Sequence, residues 1–124
     1  MALALRIFIS YDHEQLTLAE RLQADFEAAG HKVFLDPALH HGDDWARKLQ
    51  EALEWAAQDL KTGRFVLLLT DRAVRPGGFC LDELTFAMNL NLPVFPVRVE
   101  AHVKIPIEII RRQYCDLSQC LPAA

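Results

Sequence analysis

The sequence predicts an α/β protein in which one parallel β-sheet carries helices on both faces. Short apolar runs alternate along the chain with longer segments of helical periodicity, and residues 64–70 (RFVLLLT) form an almost uninterrupted apolar run. Such a run is typical of a strand buried on both faces of a parallel sheet. Strands that alternate with helices at this spacing favour right-handed crossovers, which place helices on both sides of the sheet.

The first predicted strand covers residues 5–10 (LRIFIS), and a helix follows over 14–29. The apolar residues of that helix recur on one face and stop before Gly30, which is suited to the position after a helix end. Asp12 and Gln15 have capping-box spacing for the start of the helix.

A second strand over 32–35 (KVFL) leads into a polar loop over 36–44. Asp43 or Asp44 is expected to cap the next helix, which carries Trp45 on its apolar face. Proline and glycine in the loop tolerate several backbone conformations, so the loop is expected to move over the strand ends.

Residues 64–70 should be the central strand, and the helix that opens with FCLDEL should end near 89–91. A fourth strand is expected over 93–99 (PVFPVRV). It contains two prolines, so the strand is expected near an edge of the sheet or the prolines at its ends. Residues 107–112 are expected to add a helical turn and 113–117 (QYCDL) a fifth strand. About five strands fit a flavodoxin-like order, a three-layer α/β sandwich.

Composition excludes several classes of protein. The chain of 124 residues is one domain by length, and its hydrophobic content of 52% is enough for a buried core. A net charge of −4 with scattered Lys and Arg does not favour nucleic acid. The longest apolar run is far shorter than the ~20 residues of a membrane span, and the amino terminus lacks a secretory pattern. We therefore expect a cytoplasmic protein without a membrane segment.

Cysteine and histidine usage argues against a metal or disulfide framework. Cys80, Cys115 and Cys120 are odd in number and contain no CxxC spacing, so reduced thiols are expected. His40 and His41 lie near Asp43 and Asp44, but adjacent loop residues rarely converge on one ion. We predict no metal.

A ligand site is expected at the carboxyl ends of the strands, where open α/β sheets bind their ligands. The polar loops that leave those ends cover residues 10–13, 36–44 and 71–79, and the third loop leads to Glu83. Glu83 lies on the edge of the inward stripe of its helix, which is unusual for a carboxylate.

A purely structural explanation of Glu83 is a partly buried acid paired with Arg72 or Arg75. By the same reasoning Trp45 is a packing anchor and Asp82 a solvated side chain. The glycine pair before Phe79 is too short for a phosphate loop.

The segments RIFISYDHE, GDDW, RFVLLLTDRAV, FCLDEL, LPVFPVRV and QYCDLS resemble, in order and spacing, those of a Toll/interleukin-receptor (TIR) domain. The resemblance covers nearly the whole chain and implies the flavodoxin-like fold, with the 36–44 loop as the BB loop. The family commonly has Ser where this chain has Thr70, and Trp where it has Phe79.

The resemblance implies one of two functions. Many members cleave NAD+ at the nicotinamide–ribose bond, using one Glu in a WCxxE pattern whose position here is Glu83, with Phe79 in place of Trp. On this basis Glu83 is the expected catalytic residue and Phe79 is expected to stack on a ring of the dinucleotide. The expected substrate-binding residues, placed by the strand-end loops, are Phe79, Ser10, Tyr11, Asp12, Asp36 and Thr70. NAD+ is then a substrate, and no cofactor is expected.

The alternative implied by the resemblance is a scaffold without catalysis that acts by TIR–TIR interaction. An acid at position 83 favours the enzyme. In both cases other TIR copies are expected partners, and the NAD-cleaving relatives build a composite site from neighbouring copies. Residues 1–124 are expected to be the amino-terminal effector of a longer protein with a carboxyl-terminal sensor region, in immune or antiphage signalling.

A response-regulator receiver domain has the same fold class. It needs paired acids after the first strand, an Asp that ends the third, and a Lys after a late strand. The sequence offers a single Asp12, a third strand ending in Thr70 and Asp71, and Arg98 within the fourth strand. The receiver reading is therefore disfavoured.

Overall fold

The computed structural model describes residues 3–35, 42–76, 78–109 and 115–117. Five parallel strands form one sheet in the order β2-β1-β3-β4-β5. This is the flavodoxin-like order predicted from the sequence, with β3 at the centre. The strands are β1 (Arg6–Ser10), β2 (Lys32–Leu35), β3 (Gly63–Leu69), β4 (Val94–Arg98) and β5 (Cys115–Asp116).

Three helices connect these strands. They are α1 (Leu16–Ala28), α2 (Gly42–Ala57) and α3 (Phe79–Asn89), with short 3-10 helices at His13–Gln15 and Ile107–Ile109. Each predicted strand and helix is therefore present, and most boundaries differ by one or two residues, as helix and strand ends commonly do. Residues 110–114 and 118–124 lie outside the described part of the chain, so the predicted ends of the last helical turn and the start of the fifth strand are not compared.

The helices occupy both faces of the sheet because side chains alternate along each strand. On β3, Phe65, Leu67 and Leu69 pack in a core cluster with side chains of α2 and α3. Val66 and Leu68 point the other way, into a second cluster that includes Ala19 of α1. The apolar run that predicted a strand buried on both faces is thus explained by two separate cores.

The start of α2 differs from the prediction. The helix begins at Gly42, so Asp43 and Asp44 lie in its first turn and neither is the cap. Acidic residues are also stabilised in a first turn by the helix dipole, which is why the sequence could not separate the two positions. Gly42 belongs to the helix rather than to a mobile loop, and residues 36–41 lie outside the described residues.

The start of α1 is built in two steps. The Asp12 carboxylate accepts a hydrogen bond from the Glu14 amide at 3.2 Å and caps a 3-10 turn, after which α1 begins at Leu16. The predicted cap residue is therefore confirmed, and the helix proper starts two residues later than the pattern indicated. Gly30, with φ of +95°, ends the segment as expected.

Gly63, the first residue of β3, lies very close to the end of α2. A Cβ atom at this position would lie 1.9 Å from the backbone oxygen of Ala56 and 2.8 Å from a methyl carbon of Leu92. Only glycine permits this approach. The end of α2 and the start of β3 therefore lie closer together than any side chain at position 63 would allow.

Pro96 lies inside β4, which is next to the last strand of the sheet. The Val99 amide donates to the Leu69 carbonyl of β3, whereas the Arg98 carbonyl accepts from the Leu117 amide on the β5 side. Successive residues of this segment therefore direct their backbone N–H and C=O groups alternately towards β3 and towards β5. By this alternation Pro96, like Arg98, faces the β5 side. The missing N–H of the proline therefore removes nothing from the pairing of β3 with β4.

Candidate active site

The sheet reverses its direction of growth between β1 and β3. From β1 the chain proceeds to β2 on one side and later to β3 on the other, and all strands point the same way. The carboxyl ends of β1 and β3 thus form the switch point at which such sheets bind ligands. Ser10 ends β1 and Thr70 follows β3, and both side chains are buried.

Glu83 is brought to this switch point by α3. The helix buries Cys80, Glu83, Leu84 and Ala87, which recur on one face. The Ser10 hydroxyl donates a hydrogen bond of 2.6 Å to Oε1 of Glu83, and the glutamate is only 4% exposed. Burying a carboxylate is costly unless hydrogen bonds compensate, so this contact fixes the acid at the end of β1.

A cavity of about 250 Å³ is lined by residues that neighbour this pair in the chain, Tyr11 after Ser10 and Cys80 one helical turn before Glu83. It is formed by the loops that follow β1 and β3, two of the three loops expected to form the site. Its polar lining comes from Asp12, His13, Arg72 and Arg75, and its aromatic lining from Tyr11 and Phe79.

Arg72 ties the two loops together across this cavity. Its Nε lies 3.4 Å from Oδ2 of Asp12, and its Nη1 lies 3.2 Å from Oε1 of Glu14. Asp12 is largely buried, whereas the Arg72 side chain is about half exposed. The first loop is thereby held against the third by opposite charges.

Phe79 separates this cavity from a second one of about 180 Å³. Glu83 lines the second cavity together with Trp45, Leu49, Asp82 and other residues of α2 and α3. The Phe79 ring is 46% exposed, and it meets the Trp45 ring edge to face at a centroid distance of 4.8 Å. Phe79 is therefore not a core residue, and nearly half of its surface is exposed.

The remaining predicted substrate-binding residues occupy different environments. Ser10 is fully buried, so its hydroxyl acts through Glu83. Thr70 is also buried, and its Oγ1 accepts a hydrogen bond of 3.1 Å from the Ala73 amide in the following turn. Tyr11 lines the larger cavity but is only 4% exposed. Asp36 lies outside the described residues, and its role stays a prediction.

The structural explanation of Glu83 named Arg72 or Arg75 as its partner. The guanidinium of Arg72 contacts Asp12 and Glu14, and pairing with Arg75 stays a prediction. The other part of that explanation holds: Asp82 is exposed. Asp71 is exposed as well, and its amide is bonded to Glu100 at 2.8 Å. A receiver domain needs an aspartate at the end of its third strand. Here Thr70 occupies that position and the next residue, Asp71, is exposed, so the site does not fit a receiver domain.

Sequence reasoning missed two contacts of this site. The first is the ion-pair network of Arg72, which joins residues that the chain order keeps far apart. The second is the contact between Trp45 and Phe79, which lie in the first turns of α2 and α3. Since α2 and α3 pack on the same face and start at the same edge of the sheet, the two first turns could have been paired in advance.

No group of three His, Cys, Asp or Glu side chains in the described ranges is placed to hold a metal ion. Cys115 is a free thiol, and Cys120 lies outside these ranges. None of the helices that the structure describes is long and apolar enough to cross a bilayer.

The family model described as TIR domain matches residues 7–123 of the chain. No curated protein matches it. The match runs from the second residue of β1 to beyond β5 and so includes every element described above.

Proposed function

This chain belongs to the TIR-domain family, and from that premise we propose that it is an NAD+ nucleosidase with Glu83 as its catalytic residue. The reaction releases nicotinamide and leaves ADP-ribose or a cyclic ADP-ribose. The observation that carries the proposal is the buried Glu83 carboxylate, held by Ser10 at 2.6 Å at the switch point of the sheet. A pure scaffold has no use for a carboxylate buried there.

The chemistry suits a single carboxylate without an acid partner. The C1′–N bond of the ribose breaks, its electron pair leaves with nicotinamide, and the ring becomes neutral without taking up a proton. Positive charge develops on the ribose, as in glycoside hydrolysis. Water then adds at C1′ and loses a proton to give ADP-ribose, or an adenine nitrogen of the same molecule attacks C1′ to give a cyclic product.

Glu83 stabilises that positive charge and accepts hydrogen bonds from the ribose hydroxyls. Electrostatic stabilisation of this kind is strong where water is excluded and the charge is held in advance, which fits a carboxylate that is 4% exposed. Ser10 is a positioning residue, since its hydroxyl fixes Oε1. Phe79, one helical turn earlier, offers a ring for stacking on the nicotinamide or adenine.

Self-association is part of the proposal. The two cavities of about 180 and 250 Å³ are each smaller than the ~300 Å³ at which small-molecule pockets usually begin. A dinucleotide therefore needs additional walls, and a second copy of the domain could supply them. We propose that this chain is the effector part of a longer cytoplasmic protein in immune or antiphage defence, and that a sensor region in cis triggers assembly.

The experiment is incubation of the purified domain with NAD+ at high protein concentration, with nicotinamide and ADP-ribose products separated by chromatography. Glu83→Gln keeps the size of the side chain and removes its charge, so cleavage should fall by orders of magnitude while the fold persists. Glu20→Gln is the matched control, because it makes the same replacement at an exposed glutamate of α1, on the other face of the sheet. A Glu83→Gln variant as fast as the parent would refute the assignment.

A TIR scaffold without catalysis is the second candidate. The exposure of large apolar side chains favours it, since Phe95 of β4 is 52% exposed and Ile107 is 81% exposed. Under this proposal NAD+ is not consumed even when the domain is fully assembled. Scattering and the NAD+ assay on the same sample separate the two candidates.

A further inference from the structure

The cavity bounded by Asp12, Arg72 and Arg75 has a composition that fits an anion. Two guanidinium groups line it, and Arg side chains bind phosphate oxygens with paired, charge-assisted hydrogen bonds. The amino end of α3 also faces it, because Gly78 and Phe79 line the cavity. Gly78 is the N-cap residue of α3, so the positive end of the helix dipole lies at the border of this cavity and adds to the positive charge of the two arginines.

The position of this cavity matches the geometry of a dinucleotide. Phe79 borders both cavities, and Glu83 follows it by one turn, about 6 Å along the helix axis. In NAD+ a single methylene group joins the nicotinamide ribose to the diphosphate. A ribose held at Glu83 therefore brings the diphosphate within reach of the cavity on the other side of Phe79.

Resting on the proposed NAD+ cleavage, we propose that this cavity is the diphosphate subsite and that Arg72 is the residue that binds the diphosphate. Arg72 bonds to Asp12 through Nε and to Glu14 through Nη1, and neither ion pair uses Nη2. The two carboxylates hold the guanidinium at the positions that the diphosphate oxygens would take. The substrate takes over these positions.

When the diphosphate replaces the carboxylates at Arg72, the Asp12 carboxylate still has a hydrogen-bond donor. Its carboxylate keeps the hydrogen bond from the Glu14 amide at 3.2 Å, and Nδ1 of His13 lies 3.7 Å away. Glu14 is more than half exposed, so water solvates its carboxylate once Arg72 leaves. Release of Arg72 therefore leaves Glu14 in water and Asp12 with a backbone donor.

The test compares NAD+ with nicotinamide riboside, which has the same scissile bond and lacks the diphosphate. Arg72→Gln should lower kcat/KM for NAD+ by about tenfold or more and leave kcat/KM for the riboside unchanged. Glu14→Gln should act in the opposite direction and lower KM for NAD+, because it removes a competitor for the guanidinium. Lys32→Gln is the control, since it removes one exposed positive charge at the opposite edge of the sheet.

Binding of ADP-ribose measured by calorimetry separates this inference from the proposed reaction. If the parent binds ADP-ribose and Arg72→Gln weakens that binding about tenfold, the subsite stands even if the parent cleaves no NAD+. An equal fall of kcat/KM for both substrates would make Arg72 a structural tie between loops and overturn the proposal. Parent-like NAD+ kinetics in Arg72→Gln, or no ADP-ribose binding by the parent, would overturn it as well.

Discussion

The Ser10 hydroxyl and the Glu83 carboxylate lie 2.6 Å apart although 73 residues separate them in the chain. One residue ends β1 and the other occupies the second turn of α3, so the contact depends on how α3 packs over the sheet. The acid is therefore placed by the fold as a whole. Changes at Ser10 should alter the chemistry at Glu83 without touching a ligand.

We expect Ser10→Ala to lower kcat for NAD+ cleavage by about tenfold or more with little change in KM, because the carboxylate loses the donor that orients it. The free energy of unfolding should fall by about 1–3 kcal/mol, since a buried acceptor loses its donor. Steady-state kinetics and urea denaturation measure the two effects. A loss of stability with parental kcat would mean that Ser10 serves only the fold.

Phe79→Ala should raise KM for NAD+ roughly tenfold, which is the usual effect of removing a stacking aromatic ring from a base. Phe79→Trp should keep or improve affinity, because it restores the residue common in the family. Phe95→Ala is the control, since this phenylalanine is similarly exposed, 52% against 46%, but lies on β4. Equal KM values in the parent and in Phe79→Ala would exclude stacking by this ring.

Specific activity should rise with protein concentration, because in the proposed assembly a second copy completes the pocket. A dilution series of the NAD+ assay, with light scattering on the same samples, measures this dependence. Activity that stays constant per molecule while the protein remains monomeric would show that one chain suffices. As a further check, inactive Glu83→Gln chains mixed with chains mutated in the 36–41 segment should regain activity if two copies share a site.

Gly63→Ala should destabilise the domain by about 1–3 kcal/mol or more, because the new Cβ would overlap the backbone oxygen of Ala56 at 1.9 Å. Gly30→Ala should cost only about 1 kcal/mol, since φ of +95° is strained for alanine but nothing lies within 4 Å. Thermal and urea unfolding of both variants measure the difference. A Gly63→Ala protein as stable as the parent would show that α2 can shift away from the sheet.

The fold was predictable because its periodic signals are strong. The apolar run of β3 and the alternation of strands with helices were sufficient for the sheet and its order. Helix starts were less certain, because an aspartate is favourable both as a cap and in a first turn. Asp43 and Asp44 were therefore assigned to the cap although α2 starts at Gly42.

The site was predictable in part. Strand-end loops and the inward acid identified the place of Glu83, but periodicity says nothing about which distant side chains meet. The bond from Ser10 and the ion pairs of Arg72 follow from the packing of α3 and of two loops. Such contacts depend on a few ångströms of three-dimensional geometry, which a single sequence does not specify.

Pro96 acts differently on the two neighbours of β4. Its ring nitrogen faces β5, and proline offers no N–H donor on that side. The described pairs between the two strands, Val97 with Cys115 and Arg98 with Asp116, both lie on the carboxyl-terminal side of Pro96. Pro96 thus costs the central strands of the sheet nothing and removes a possible hydrogen bond only on the side of the short strand β5, next to which the carboxyl end of β4 carries all of the described pairing.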